Sequence, residues 1–75
     1  MATKKTAQST VIEDYIGRSH PSITGECEQH ENRDFIVWLT RNDGVRRKHR
    51  VTRESFEDNR WQAQIDAALS DLISN

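Results

Sequence analysis

An α+β fold is predicted for this chain: a short N-terminal helix, a three-stranded antiparallel β-meander and a C-terminal amphipathic helix packed on the sheet. Three observations predict it. Asp43-Gly44 stands between two extended runs, residues 34–40 and 45–52, and Asp-Gly in that setting is a strong short-range hairpin signal. From Trp61 onward, Trp61, Ile65, Ala68, Leu69, Leu72 and Ile73 recur at helical spacing while Gln62, Asp66 and Ser70 fall on the opposite side. Upstream, Ile12, Tyr15 and Ile16 form a shorter stripe that Pro21 brings to an end.

Residues 1–9 are polar, with Lys4 and Lys5 and no large apolar side chain after Met1, a composition that predicts a disordered tail ahead of a single domain over 10–75. Thr10 and Glu13 fit a capping box that starts the first helix, which fades at Gly17. Such a helix is about two turns long and holds only if Ile12, Tyr15 and Ile16 pack on something. Ile23, Gly25 and Cys27 alternate with Thr24, Glu26 and Glu28, predicting a first strand over 23–30, with a turn over 30–33. The second strand, 35–40, is apolar on both faces: Phe35, Val37 and Leu39 on one, Ile36 and Trp38 on the other. A strand with two apolar faces is usually central. The acidic first strand and the basic third strand then lie on opposite edges, where charge also discourages pairing with other chains.

The hairpin register fixes what the basic strand presents. A three-residue loop, Asn42-Asp43-Gly44 with Gly44 at a left-handed position, aligns Val45, Arg47, His49 and Val51 with Phe35, Val37 and Leu39. Arg46, Lys48 and Arg50 then share the other face with Ile36 and Trp38. A two-residue Asp43-Gly44 turn shifts every partner by one; the bulged loop is favoured because it groups the apolar residues of the two strands. Beyond the hairpin, Thr52 is a plausible cap with acids in the following turn, and Asp58 or Asn59 is the expected cap of the last helix. The core is expected between Trp61, Ile65, Leu69 and Leu72 and the sheet residues Phe35, Val37, Leu39 and Val51. Ile36 and Trp38 are left either under the first helix or open to a partner.

At 75 residues the chain makes one small domain of marginal stability, to which partners or oligomerisation add; a homodimer is compatible with this. Cys27 is alone, so no intrachain disulfide forms, and a reducing compartment, the cytoplasm, is expected. No apolar run reaches the ~20 residues a membrane span needs, and no hydrophobic signal segment follows Met1, so no membrane association is expected. The formal net charge is −1, but it is segregated along the chain. Residues 26–34 carry a net of −3, residues 41–53 a net of +5, and residues 54–75 a net of −4. Segregation of this kind points to electrostatic recognition, or to pairing of the blocks with one another.

Chemistry at a catalytic centre is not predicted. No Gly-rich phosphate loop, HExxH or GxSxG occurs, and the chain has little room for a pocket of the usual ~300 Å³ or more. His20, Cys27, His30 and His49 could in principle make four zinc ligands, yet positions 27 and 30 of a strand point to opposite faces and no second tight pair exists. No catalytic residue, metal or cofactor is expected, and Cys27 reads as a small core residue. Two binding functions remain. The first is a non-enzymatic protein-binding module, an adaptor or inhibitor of a larger protein or nucleoprotein complex, acting through the charged hairpin. The second is a nucleic-acid-binding module in which cations track phosphates and Trp38 stacks on a base. Both use Trp38, Arg46, Arg47, Lys48 and Arg50. In the plainest alternative Trp38 is core and the cations are a solvated edge.

Overall fold

The computed structural model describes residues 3–74 and arranges them as α1 (Ala7–Ser19), β1 (Ile23–Gln29), β2 (Phe35–Arg41), β3 (Arg46–Val51), α2 (Arg53–Glu57) and α3 (Trp61–Ser74). The sheet is an antiparallel meander in the order β1-β2-β3, with the doubly apolar β2 at its centre. The α+β architecture read from the sequence is the one observed.

The hairpin adopts the three-residue loop. Arg41 N–H donates to Val45 O at 2.7 Å, Gly44 N–H donates to Arg41 O at 2.9 Å, and Gly44 takes φ +95°. The left-handed backbone at that position is what favours glycine there. The register then pairs Leu39 with Arg47, Val37 with His49 and Phe35 with Val51. Asp43 stiffens the loop, its Oδ1 accepting Val45 N–H at 3.2 Å.

Both long helices pack on one face of the sheet. Ile12 and Ile16 of α1 lie with Ile23 and Cys27 of β1, while Trp61, Ile65, Leu69 and Leu72 of α3 lie with Phe35, Val37, Leu39 and Val51; all are buried. Tyr15, Phe56 and Trp61 join the two halves, Tyr15 meeting Trp61 edge-on at 5.2 Å and Phe56 stacking on Trp61 at 5.7 Å. The Tyr15 hydroxyl donates to the Asp66 carboxylate at 2.8 Å, tying α1 to α3. One member of the predicted stripe is displaced: Ile73 is 50% exposed, because Leu72 already fills the last core position of α3.

The N-terminal boundary departs from the sequence reading. Thr6, not Thr10, caps α1, in a reciprocal box with Ser9, and the helix runs on past Gly17 to Ser19. Glu13, the other half of the expected box, is taken elsewhere: its Oε2 accepts Cys27 N–H at 2.8 Å and an ion pair from Lys5. Lys4 pairs with Gln29 through both backbone groups, so residues 4–9 belong to the domain; Met1 and Ala2 lie outside the described residues. At the other junction Thr52 caps α2 as read, but neither Asp58 nor Asn59 caps α3. Asp58 closes α2, and Asn59, at φ +57°, turns the chain between the two helices.

Candidate functional site

Because α1 and α3 share one face, the other carries no helix among the described residues. It is built in three strips from the period-two alternation of the strands. β1 contributes Thr24, Glu26 and Glu28; β2 contributes Ile36, Trp38 and Thr40; β3 contributes Arg46, Lys48 and Arg50. Each cross-strand row therefore runs from β1 through β2 to a cation: Glu26–Trp38–Lys48, Glu28–Ile36–Arg50 and Thr24–Thr40–Arg46. The surface is acidic along one edge, apolar along the middle and basic along the other.

Trp38 is the centre of this face. The Arg46 guanidinium lies over its ring at 4.1 Å from the centroid, and the Lys48 ammonium is 5.7 Å away. Lys48 is the direct cross-strand partner and Arg46 the diagonal one, a distance that a long side chain spans. Each contact is worth about 0.5–1 kcal/mol at an exposed site, and the aliphatic stems lie against the indole while the charges stay in water. Trp38 is half-buried rather than core, whereas its neighbours Val37 and Leu39 are fully buried on the helix side.

The five residues read from the sequence do not act as one cluster. Trp38, Arg46 and Lys48 come together. Arg50 lies on the same face, but its guanidinium donates to Asp34, which also accepts Arg53 N–H at 3.0 Å; these donors hold the Asp34 carboxyl below its usual range. Arg47 points to the helix side and pairs with Asp71 of α3 at 3.0 Å. Among the described residues, Arg46 and Lys48 form no ion pair, and neither do Glu26 and Glu28. The block charges thus pair in part: the strand's cations split between internal partners and an open remainder. Glu26 and Glu28 escaped the sequence reading of the site, although their phase along β1 carries the signal once the register to β2 is known.

Elsewhere the ionisable groups serve the fold. Cys27 is fully buried, and burial, with the Glu13 carboxylate nearby, pushes its thiol up to about 12, which holds it in the unreactive thiol form. His49, opposite Val37, is half-buried with Nε2 lacking a hydrogen-bond partner, and burial lowers its pKa. Among the described residues no three His, Cys, Asp or Glu side chains converge as a metal site. The surface does offer depressions larger than the sequence suggested, such as one of about 360 Å³ bordered by Lys4, Thr6, Gln29 and His30, but Cys27 does not border it. No described helix is long and apolar enough to cross a membrane.

The fold and this surface define a small α+β protein with helices on one sheet face and an open, charge-striped face on the other. No family model, curated protein or solved structure matches the chain.

Proposed function

We propose that this chain is a non-enzymatic protein-binding module, an adaptor or inhibitor that docks on a larger protein or nucleoprotein complex through its open sheet face. The observation that carries the reading is Trp38 held beneath Arg46 and beside Lys48 on a face without a helix. Interface centres are enriched in Trp and Arg. Here a half-buried indole supplies apolar area, and two cations free of internal ion pairs supply steering.

A nucleic-acid-binding module is the second reading, favoured by the same aromatic among cations on an antiparallel sheet. Three features weigh against it. Glu26 and Glu28 lie one strand away from the aromatic strip and repel phosphate; Arg50 and Arg47 are already paired; and the face offers one aromatic where sheet-based RNA readers use two or three.

Arg46→Glu combined with Lys48→Glu tests both. The side chains are exposed and form no ion pair among the described residues, so the double variant is expected to stay folded, its melting lowered by no more than the loss of the two contacts to the Trp38 ring, while its association with its partner slows at least tenfold. A variant that melts and binds like the parent reduces the basic strand to a solubilising edge. Titration with single-stranded and duplex oligonucleotides separates the readings. Binding whose logarithm falls with log salt at a slope of a few units marks the nucleic-acid module, and no binding at ~50 mM salt removes it.

A further inference from the structure

The two edges of the sheet differ in a way the charge pattern alone does not reveal. On β1, the outward edge is bonded in part and covered for the rest. Gln29 exchanges both hydrogen bonds with Lys4, at 2.8 and 3.1 Å, Cys27 N–H donates to Glu13 Oε2 at 2.8 Å, and Ile16 sits against Gly25. The β1 edge is closed by the N-terminal segment and α1.

On β3 the phase is set by the hairpin. Arg41 and Val45 are hydrogen-bonded partners next to the loop, so the alternation of an antiparallel ladder makes Arg47, His49 and Val51 the residues bonded to β2. The N–H and C=O groups of Arg46, Lys48 and Arg50 therefore point outward, and among the described residues no group pairs with them. The residues with open backbone groups are the same ones whose cationic side chains stand on the open face.

We propose that β3 is a β-augmentation edge whose partner is an extended, acidic segment of another protein, with carboxylates at every second position. This rests on the protein-binding reading above and names the partner's chemistry. A strand added antiparallel to β3 places its hydrogen-bonded residues directly opposite Arg46, Lys48 and Arg50, with Cβ atoms about 4.5–5.5 Å apart on the same face. Acidic residues opposite Arg46 and Lys48 neutralise the two cations that have no ion pair among the described residues, and one opposite Arg50 shares that guanidinium with Asp34; basic ones are rejected. Main-chain bonds supply affinity and the alternating side chains supply specificity. The same cations oppose β3-to-β3 pairing of two copies, and the closed β1 edge keeps the chain's own acidic strand from serving as the added one.

The test uses three synthetic peptides with the same set of side chains, titrated into isotopically labelled protein. One alternates Glu with Val and Thr, one clusters its glutamates at one end, and one is the alternating peptide N-methylated at its glutamate nitrogens. The alternating peptide is expected to slow amide exchange at Arg46, Lys48 and Arg50 at least tenfold, while the other two bind at least tenfold more weakly. Lys48→Glu is expected to weaken the alternating peptide by a similar factor. Equal binding of all three, or shifts around Trp38 without protection of those amides, overturns augmentation and leaves the face as a charge-steered protein surface. Salt-dependent oligonucleotide binding with no response to any peptide overturns both readings.

Discussion

Gly25 lies so close beneath Ile16 that a Cβ built on it falls 2.8 Å from both Cδ1 and Cγ2 of the isoleucine. A strand glycine commonly marks a close approach, and this one lets α1 seat on β1. Gly25→Ala is expected to destabilise the domain by about 1–3 kcal/mol through overpacking, lowering Tm by at least ~4 °C for a chain of this size. Ile16 branches at Cβ, so the clash is not relieved by moving a chain end alone. Ile16→Val in the same chain removes Cδ1 and is expected to recover part of the loss. A thermal melt of Gly25→Ala matching the parent overturns the close contact.

Val51 is fully buried between β3 and the helices and pairs with Phe35. Val51→Asp buries a carboxylate without a partner, a cost of several kcal/mol that exceeds what a domain this small holds in reserve. The variant is expected to lack a cooperative melting transition by circular dichroism. Retention of a native transition within a few degrees moves the core away from this face.

Arg41 ties the hairpin loop to the end of α3. Its guanidinium grips Asp43 at 2.7 and 2.8 Å and donates to the Leu72 carbonyl at 2.8 Å. That carbonyl sits in the last turn of the helix, where acceptors lack partners within the helix. The guanidinium holds the Asp43 carboxyl down at about 2, so the clasp stays charged across the neutral range. Arg41→Gln is expected to raise amide exchange several-fold in the last turn of α3 and leave β1 unchanged. Exchange unaltered at the end of α3 removes the clasp.

Burial lowers the pKa of His49 below its ordinary 6.5. The unfolded chain therefore takes up the proton at a higher pH than the folded one. Stability contributed by neutral His49 is present in full above pH 6.5 and declines as pH falls from there toward the folded value. Asp34 and Asp43, held low by their arginines, act the other way at lower pH: their contribution is present above the ordinary carboxylate range and is lost as pH falls below it. Urea denaturation between pH 7.5 and 5 is expected to show a slope that His49→Gln reduces. An identical slope in the variant assigns it to other groups.

Much of the fold was legible because its signals are local. Asn42-Asp43-Gly44 specified the loop, and the loop specified the register, since turn geometry and the pleat leave one phase that groups Val51 with Phe35. The doubly apolar run of β2 marked the centre of the sheet, and the spacing from Trp61 to Leu72 marked the helix that covers it. The start of α1 was misread for a related reason: Thr6 and Thr10 are both acceptable caps, and local chemistry does not choose between them. The choice was made by Glu13, drawn to Cys27 N–H and Lys5 across the fold.

The sequence by itself determined the strand phases, and with them the three cations that share a face with Trp38. It did not determine which sheet face α1 covers, because alternation says that two faces differ but not which of them a distant element will occupy. That decision lies in the fit of Ile16 over Gly25, a contact between residues on different elements. Once it is made, the face bearing Trp38 stays open, and Lys4 and Glu13 close the β1 edge. Tertiary structure likewise assigned Arg50 to Asp34 and Arg47 to Asp71, leaving Arg46 and Lys48 against Trp38 with no ion pair among the described residues. Charge partners are chosen by proximity in space, and a ladder of like charges along one strand carries no record of which of them the rest of the fold will neutralise.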